Sequence, residues 1–135
     1  HREAFLGGVD LFKDLPMPSL TRLAGIVEKV SASAGEELFK QGDIGDSLYL
    51  VCSGAIEVIV DGNKVATLTK NACIGEMALV GGLKRSATAL VVENAALLQM
   101  WAEDFNHLIE TEPEVSLALL KTLSIRLRQT MGAPG

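Results

Sequence analysis

The stretch Cys73-Ile74-Gly75-Glu76-Met77-Ala78-Leu79-Val80-Gly81-Gly82-Leu83-Lys84-Arg85-Ser86-Ala87-Thr88-Ala89 lies between two strand-like runs, and its reading decides the rest. Gly75 marks a turn or a close backbone approach. Glu76 to Leu79 can form about one helical turn, which Gly81-Gly82 ends. So short a helix stabilises little by itself. Its presence inside a strand-rich region implies a task for its exposed N–H groups, and the usual task is to hold an anion. On residue types alone, Glu76 and Arg85 equally suit a structural ion pair, and Arg85 equally suits a cap on the helix carbonyls.

Working outward, residues 31–101 read as strands punctuated by glycine turns. Leu48, Leu50 and Cys52 alternate with Tyr49, Val51 and Ser53 until Gly54 breaks the run; Ile56, Val58 and Val60 follow. Asp61-Gly62 then predicts a hairpin into Val65–Leu68. Thr88–Val92 and Ala95–Trp101 are expected as a further pair turning at Glu93-Asn94. Short strands with regular turn signals predict a small roll or barrel. Residues 1–30 read as helical, with Leu20, Leu23, Ala24, Val27 and Val30 on one face and Pro18 in the first turn. Phe5-Leu6 and Leu11-Phe12 form a shorter piece interrupted by Gly7-Gly8. Residues 102–135 are helical again. Acidic residues at Glu103 and Asp104 suit a helix start, Thr111-Glu112-Pro113-Glu114 reads as a capping box, and Val115, Leu119, Leu123 and Leu127 repeat every four residues.

The cassette at 74–88 resembles the phosphate-binding cassette of the cyclic-nucleotide-binding domain family. Gly75, Glu76, Met77, Ala78, Leu79, Arg85, Ser86, Ala87 and Thr88 fill the family's pattern, and Gly42-Asp43, Gly45-Asp46, Tyr49 and Gly54 match its turns. Ile74 stands where many members have Phe, and Lys84 where many have Pro. The resemblance implies a mainly β fold, an eight-stranded-type β-roll of jelly-roll-like form with N-terminal and C-terminal helices, in a single domain over 1–135. It also implies a ligand, cAMP or cGMP, in place of a cofactor or metal. The family's ligand has one free ribose hydroxyl, which the Glu76 carboxylate can accept, and one phosphodiester charge, which the planar fork of Arg85 can grip. By the same resemblance, the N–H groups near Ala78 and Ala87 and the Ser86 hydroxyl complete the phosphate cradle, and Gly75 and Met77 are further ligand-binding positions. Ile74 and Val58 would wall the sugar and base. Serine at 86, without the methyl of the threonine that favours cGMP, favours cAMP over cGMP and leaves cGMP as the alternative ligand. Arg126, Leu127, Arg128 and Met131 are the candidates for a lid over the base.

Composition agrees with a single globular domain. Hydrophobic residues make up 48% of the 135-residue chain and charged residues 21%, the balance of a globular domain with a real core. A net charge of −5 with scattered basic residues argues against a nucleic-acid surface. No apolar run reaches the roughly 18 residues of a membrane span, so no direct membrane contact is expected. Cys52 and Cys73 read as reduced thiols, which with the lack of a secretory signal predicts a cytoplasmic setting. The start at His1 is expected of a piece of something larger, so the effector is expected to be attached and to read occupancy through the position of the C-terminal helix. Two histidines, His1 and His107, are too few for a metal-dependent cupin, and no nucleophile elbow or Walker loop is present, so no enzyme is predicted. The alternative is a fold-retaining interaction module that binds no nucleotide. In it, Leu119, Leu123 and Leu127 would serve as core or as the seam of a homodimer.

Overall fold

A computed structural model describes residues 2–80 and 82–131, with the side chains of Val80, Thr122, Arg126, Leu127, Gln129, Thr130 and Met131 outside the described set. Two long strands form the spine of the molecule: β3 (Ser47–Val60) and β6 (Thr88–Trp101). They pair antiparallel from Ser47↔Trp101 to Ile59↔Thr88. At one end β1 (Val27–Ala32) lies beside β6 and β5 (Cys73–Ile74) beside β3. At the other end β2 (Glu37–Phe39) lies beside β6 and β4 (Asn63–Leu68) beside β3. Each end is therefore four strands wide, and the eight-stranded-type roll is built from six strands because two of them serve both halves.

The double use of β3 and β6 rests on Gly54. Its φ of +90° is open to glycine at little steric cost, and a Cβ there would come within 2.5 Å of the Asn94 carbonyl and 2.7 Å of Ala95 Cα. Register shifts cluster around this crossing, between Val51 and Ile56, as expected of bulges that bend long strands. Gly54 thus bends the run that sequence periodicity has it end. The expected turn at Glu93-Asn94 is likewise absent. Both residues keep negative φ, Glu93 pairs with Ala55, and the Asn94 amide oxygen accepts the Ala34 N–H at 2.9 Å. The Asp61-Gly62 hairpin does form, with φ of +51° and +81° at its two central residues and Val60 opposite Asn63.

Four helices cover the β1–β5 end: α1 (Arg2–Gly7), α2 (Met17–Ala24), α3 (Ala102–Thr111) and α4 (Pro113–Met131). Helix α2 ends at Ala24, with the Gly25 N–H donating to the Arg22 carbonyl at 3.2 Å and the Ile26 N–H to the Leu23 carbonyl at 3.1 Å. Val27 and Val30 consequently belong to β1 instead of the predicted helix face; their β-branched side chains suit a strand, and β6 supplies its partner from Met100 to Ala95. Leu48, Leu50, Leu98 and Met100 face these helices and share a core with Leu6, Phe12, Leu23, Phe105 and Val115. Val51, Ile56, Ile74, Val91 and Leu97 fill a second core inside the roll. The period-two alternation of β3 thus separates two buried faces, each a source of stability through apolar area removed from water.

The expected capping box at 111–114 does not form, because Thr111 is still inside α3. Its hydroxyl donates back to the His107 carbonyl at 3.0 Å. Along α4, Val115 and Leu119 are buried, but Leu123 is 48% exposed, so the four-residue repeat leaves the core after two members. The Leu127 side chain lies outside the described residues.

Candidate functional site

The cassette closes over the open end of the roll. Cys73-Ile74 pairs with Tyr49-Leu50, Gly75 turns the chain at φ +79°, and Glu76–Val80 forms a 3₁₀ helix. The chain then returns through 82–87 to β6. A cavity of about 260 Å³ lies between this segment and the sheet. Gly75, Glu76, Met77, Ala78, Arg85, Ser86, Ala87, Ile74 and Val58, the residues singled out from sequence, all line it. Ile74 and Ala78 are buried in its walls, whereas Glu76, Met77 and Ser86 are exposed at its rim.

Arg85 is the chemical centre. It is only 7% exposed, yet its ion pair is a long one: Nη2 lies 3.7 Å from Asp46 Oδ1, and the Asp46 side chain is 68% exposed. Nη1 donates to the Gly75 carbonyl at 3.5 Å, the limit of a hydrogen bond, and Nε has no partner among the described residues. The guanidinium also lies over the Phe39 ring, 3.9 Å from its centroid. Burial pushes the Arg85 pKa below its ordinary value, while Asp46, Tyr49 and Asp43 pull the other way. A guanidinium stays charged at any ordinary pH. The site is therefore a buried cation whose ion-pair partner is largely exposed and which keeps an unused donor among the described residues, an arrangement that favours a bound anion.

The turns at 42–46, which sequence places only as corners of the roll, form the second wall of this site. Arg85 N–H donates to the Asp43 carbonyl at 2.6 Å, Gly42 N–H to the Arg85 carbonyl at 2.8 Å, and Gly45 N–H to the Leu83 carbonyl at 2.9 Å. This clamp fixes the backbone that carries Arg85. Gly45 is a point of close approach, since a Cβ there would lie 3.4 Å from Arg85 Cζ and Nε and 3.1 Å from Ala78 Cβ.

Neither pairing suggested by residue type is the main one. The ion-pair partner of Arg85 is Asp46, not Glu76, and only the single long bond to Gly75 resembles a cap. The Ala78 N–H already donates to the Gly75 carbonyl at 3.0 Å within the 3₁₀ turn. Among the lid candidates, Arg128 is exposed on α4, and the side chains of Arg126, Leu127 and Met131 lie outside the described residues. Helix α4 packs on α2 and α3, and none of its described residues lines the cavity. Sequence reasoning missed Phe39 and Leu68 as wall residues. No local signal marks either, because each reaches the cavity only through its place in the sheet.

Comparisons with known proteins bear on the family and the fold. Residues 29–112 match the family model described as the cyclic nucleotide-binding domain. The cyclic AMP receptor protein of Thermus thermophilus is 38% identical over 100 residues, covering 70% of this chain and 46% of that protein. Among solved structures, the N-terminal domain of a transcriptional regulator from Streptomyces coelicolor superposes with a TM-score of 0.84 at 29% identity, over 95% of this chain and 93% of that one. The regulatory domain of Toxoplasma gondii PKA, crystallised with cAMP, gives 0.71 at 27% identity over 78% of this chain and 42% of that one. The chain spans 22% to 46% of the length of such curated relatives.

Proposed function

We propose, from the premise that this chain belongs to the cyclic nucleotide-binding domain family, that it binds cAMP in preference to cGMP and passes occupancy on to an attached effector. The observation that carries the proposal is Arg85: a buried guanidinium, incompletely partnered, at the floor of a cavity lined by the cassette. A 3′,5′-cyclic phosphodiester offers this cation one delocalised negative charge in a rigid ring. Binding it replaces the long contact to Asp46 with charge-assisted bonds in a drier setting. Glu76, at the rim, accepts the free ribose hydroxyl, and the Ser86 hydroxyl joins the phosphate cradle. Ile74 and Val58 supply apolar walls for the sugar and base, and Gly75, Met77 and the backbone at Ala78 and Ala87 complete the enclosure. Ser86, the name of the Thermus relative and the cAMP in the Toxoplasma crystal all favour cAMP.

Transmission runs through the 3₁₀ turn. Leu79 packs against the helical core, and the turn touches α3, which in turn packs on α4. A ligand that binds better to one placement of the turn biases the helices by that difference in affinity. Among the described residues no helix is long and apolar enough to cross a membrane. A cytoplasmic domain fused to its effector is the setting we propose, with no part for nucleic acid.

Isothermal titration with cAMP and cGMP, alongside Arg85→Ala and Glu76→Ala, tests this. Truncating Arg85 removes ~2–5 kcal/mol, a loss of about 30- to 4,000-fold in affinity. Removing the Glu76 acceptor costs ~1.5–3 kcal/mol. No heat with either nucleotide, from protein shown to carry no copurified ligand, would replace this reading with that of an interaction module.

A further inference from the structure

The Arg85 guanidinium does not hold itself in place: among the described residues its ion pair is long, its hydrogen bond to the Gly75 carbonyl is marginal, and its Nε has no partner. Three groups define where the guanidinium sits. The Phe39 ring covers it, with Cζ 3.9 Å from the ring centroid. Gly45 and Gly75 leave the space that a Cβ at either position would invade. Phe39 is itself braced. Its ring stacks on Tyr49 at 6.2 Å and 29°, and the Tyr49 hydroxyl accepts from Gln99 Nε2 at 3.1 Å. Gln99 is buried in β6 and donates also to Ser47 at 2.9 Å. Phe39 in β2 pairs with Ala89 at the start of β6, just beyond the cassette.

From this arrangement we infer that Phe39 is a positioning residue for the anion site, holding the Arg85 guanidinium by its π face so that the fork is preorganised for phosphate. The inference rests on the reading of Arg85 as the phosphate ligand. A cation over an aromatic face gains most where water is excluded, and Arg85 is nine-tenths buried. The attraction uses up no N–H hydrogen bond, so the donors of the guanidinium remain available to an anion. An aliphatic side chain of similar bulk fills the space without that attraction.

The test is cAMP titration of the whole chain in four forms: wild type, Phe39→Leu, Phe39→Trp, and protein carrying a trifluorinated phenylalanine at position 39. Fluorine draws charge from the ring face with little change of shape, so packing is preserved while the cation–π attraction is weakened. The expected result is a loss of about 5- to 30-fold for Phe39→Leu, recovery with Phe39→Trp, and an intermediate loss for the fluorinated ring at unchanged melting temperature. If wild type binds cAMP and the fluorinated protein binds it equally well, Phe39 only fills space and the inference is wrong. If wild type binds no cyclic nucleotide, the reading of Arg85 fails and the inference fails with it.

Discussion

Gly75→Ala separates the stability of this domain from its ligand chemistry. Alanine at φ +79° bears the left-handed backbone penalty, ~1–2 kcal/mol. For a chain of 135 residues that lowers the melting temperature by about 4–7 °C. The new methyl would also collide with Arg85 Nη1 and touch the Phe39 ring edge at 3.5 Å. Because Nη1 is the far end of a flexible side chain, the clash is relieved by moving the guanidinium, at the expense of the anion site and not of the core. Losing one well-placed bond to a charged group costs ~1.5–3 kcal/mol, or about 10- to 150-fold in affinity for cAMP. Gly62→Ala is the matched control. It has φ +81° in the β3–β4 turn, nothing within 4 Å of its Cβ position, and no place in the cavity lining. Calorimetric melting and nucleotide titration of both variants are expected to show similar destabilisation but a binding defect in Gly75→Ala alone. Equal cAMP affinity in the two variants would refute the steric link between Gly75 and Arg85.

Two further outcomes follow from the fold. Gly54→Ala places its methyl against backbone that has nowhere to go, with Asn94 O at 2.5 Å and Ala95 Cα at 2.7 Å. Urea unfolding is expected to show a loss of ~2–5 kcal/mol, the sum of backbone strain and overpacking; a loss no greater than that of Gly62→Ala would contradict the crossing described above. On the alkaline side, burial pushes the Cys52 thiol up from its ordinary value of 9.0, against the opposing charges of Lys29 and Lys70. The Tyr49 hydroxyl is likewise raised from 10.0, chiefly by burial. In both cases the unfolded chain loses its proton first, so stability is complete below the ordinary value and declines as pH rises past it toward the folded value. Melting temperature measured from pH 8 upward should fall less steeply in Cys52→Ala than in wild type, and an equally steep fall would count against desolvation of this half-buried thiol.

Sequence by itself determined the features that depend on neighbouring residues along the chain. The Asp61-Gly62 turn needs two consecutive left-handed residues, and an Asp-Gly pair provides them. The short helix between Gly75 and Gly82 and the spacing from Glu76 to Arg85 are local in the same sense, which is why the predicted cassette residues line the cavity together. Tertiary structure alone decided the rest. Gly54 and Glu93-Asn94 read as chain breaks, yet β3 and β6 continue through them, bent but unbroken, because each strand finds its partner in the other. Val27 and Val30 fit a helix by spacing, but β6 offers an edge that draws them into a strand. Phe39 and Asp46 reach Arg85 from about forty residues away, and no local pattern records a contact made by sheet pairing and turn clamps. Periodicity reports which face of an element is apolar; which element that face meets is settled only by closing the chain on itself.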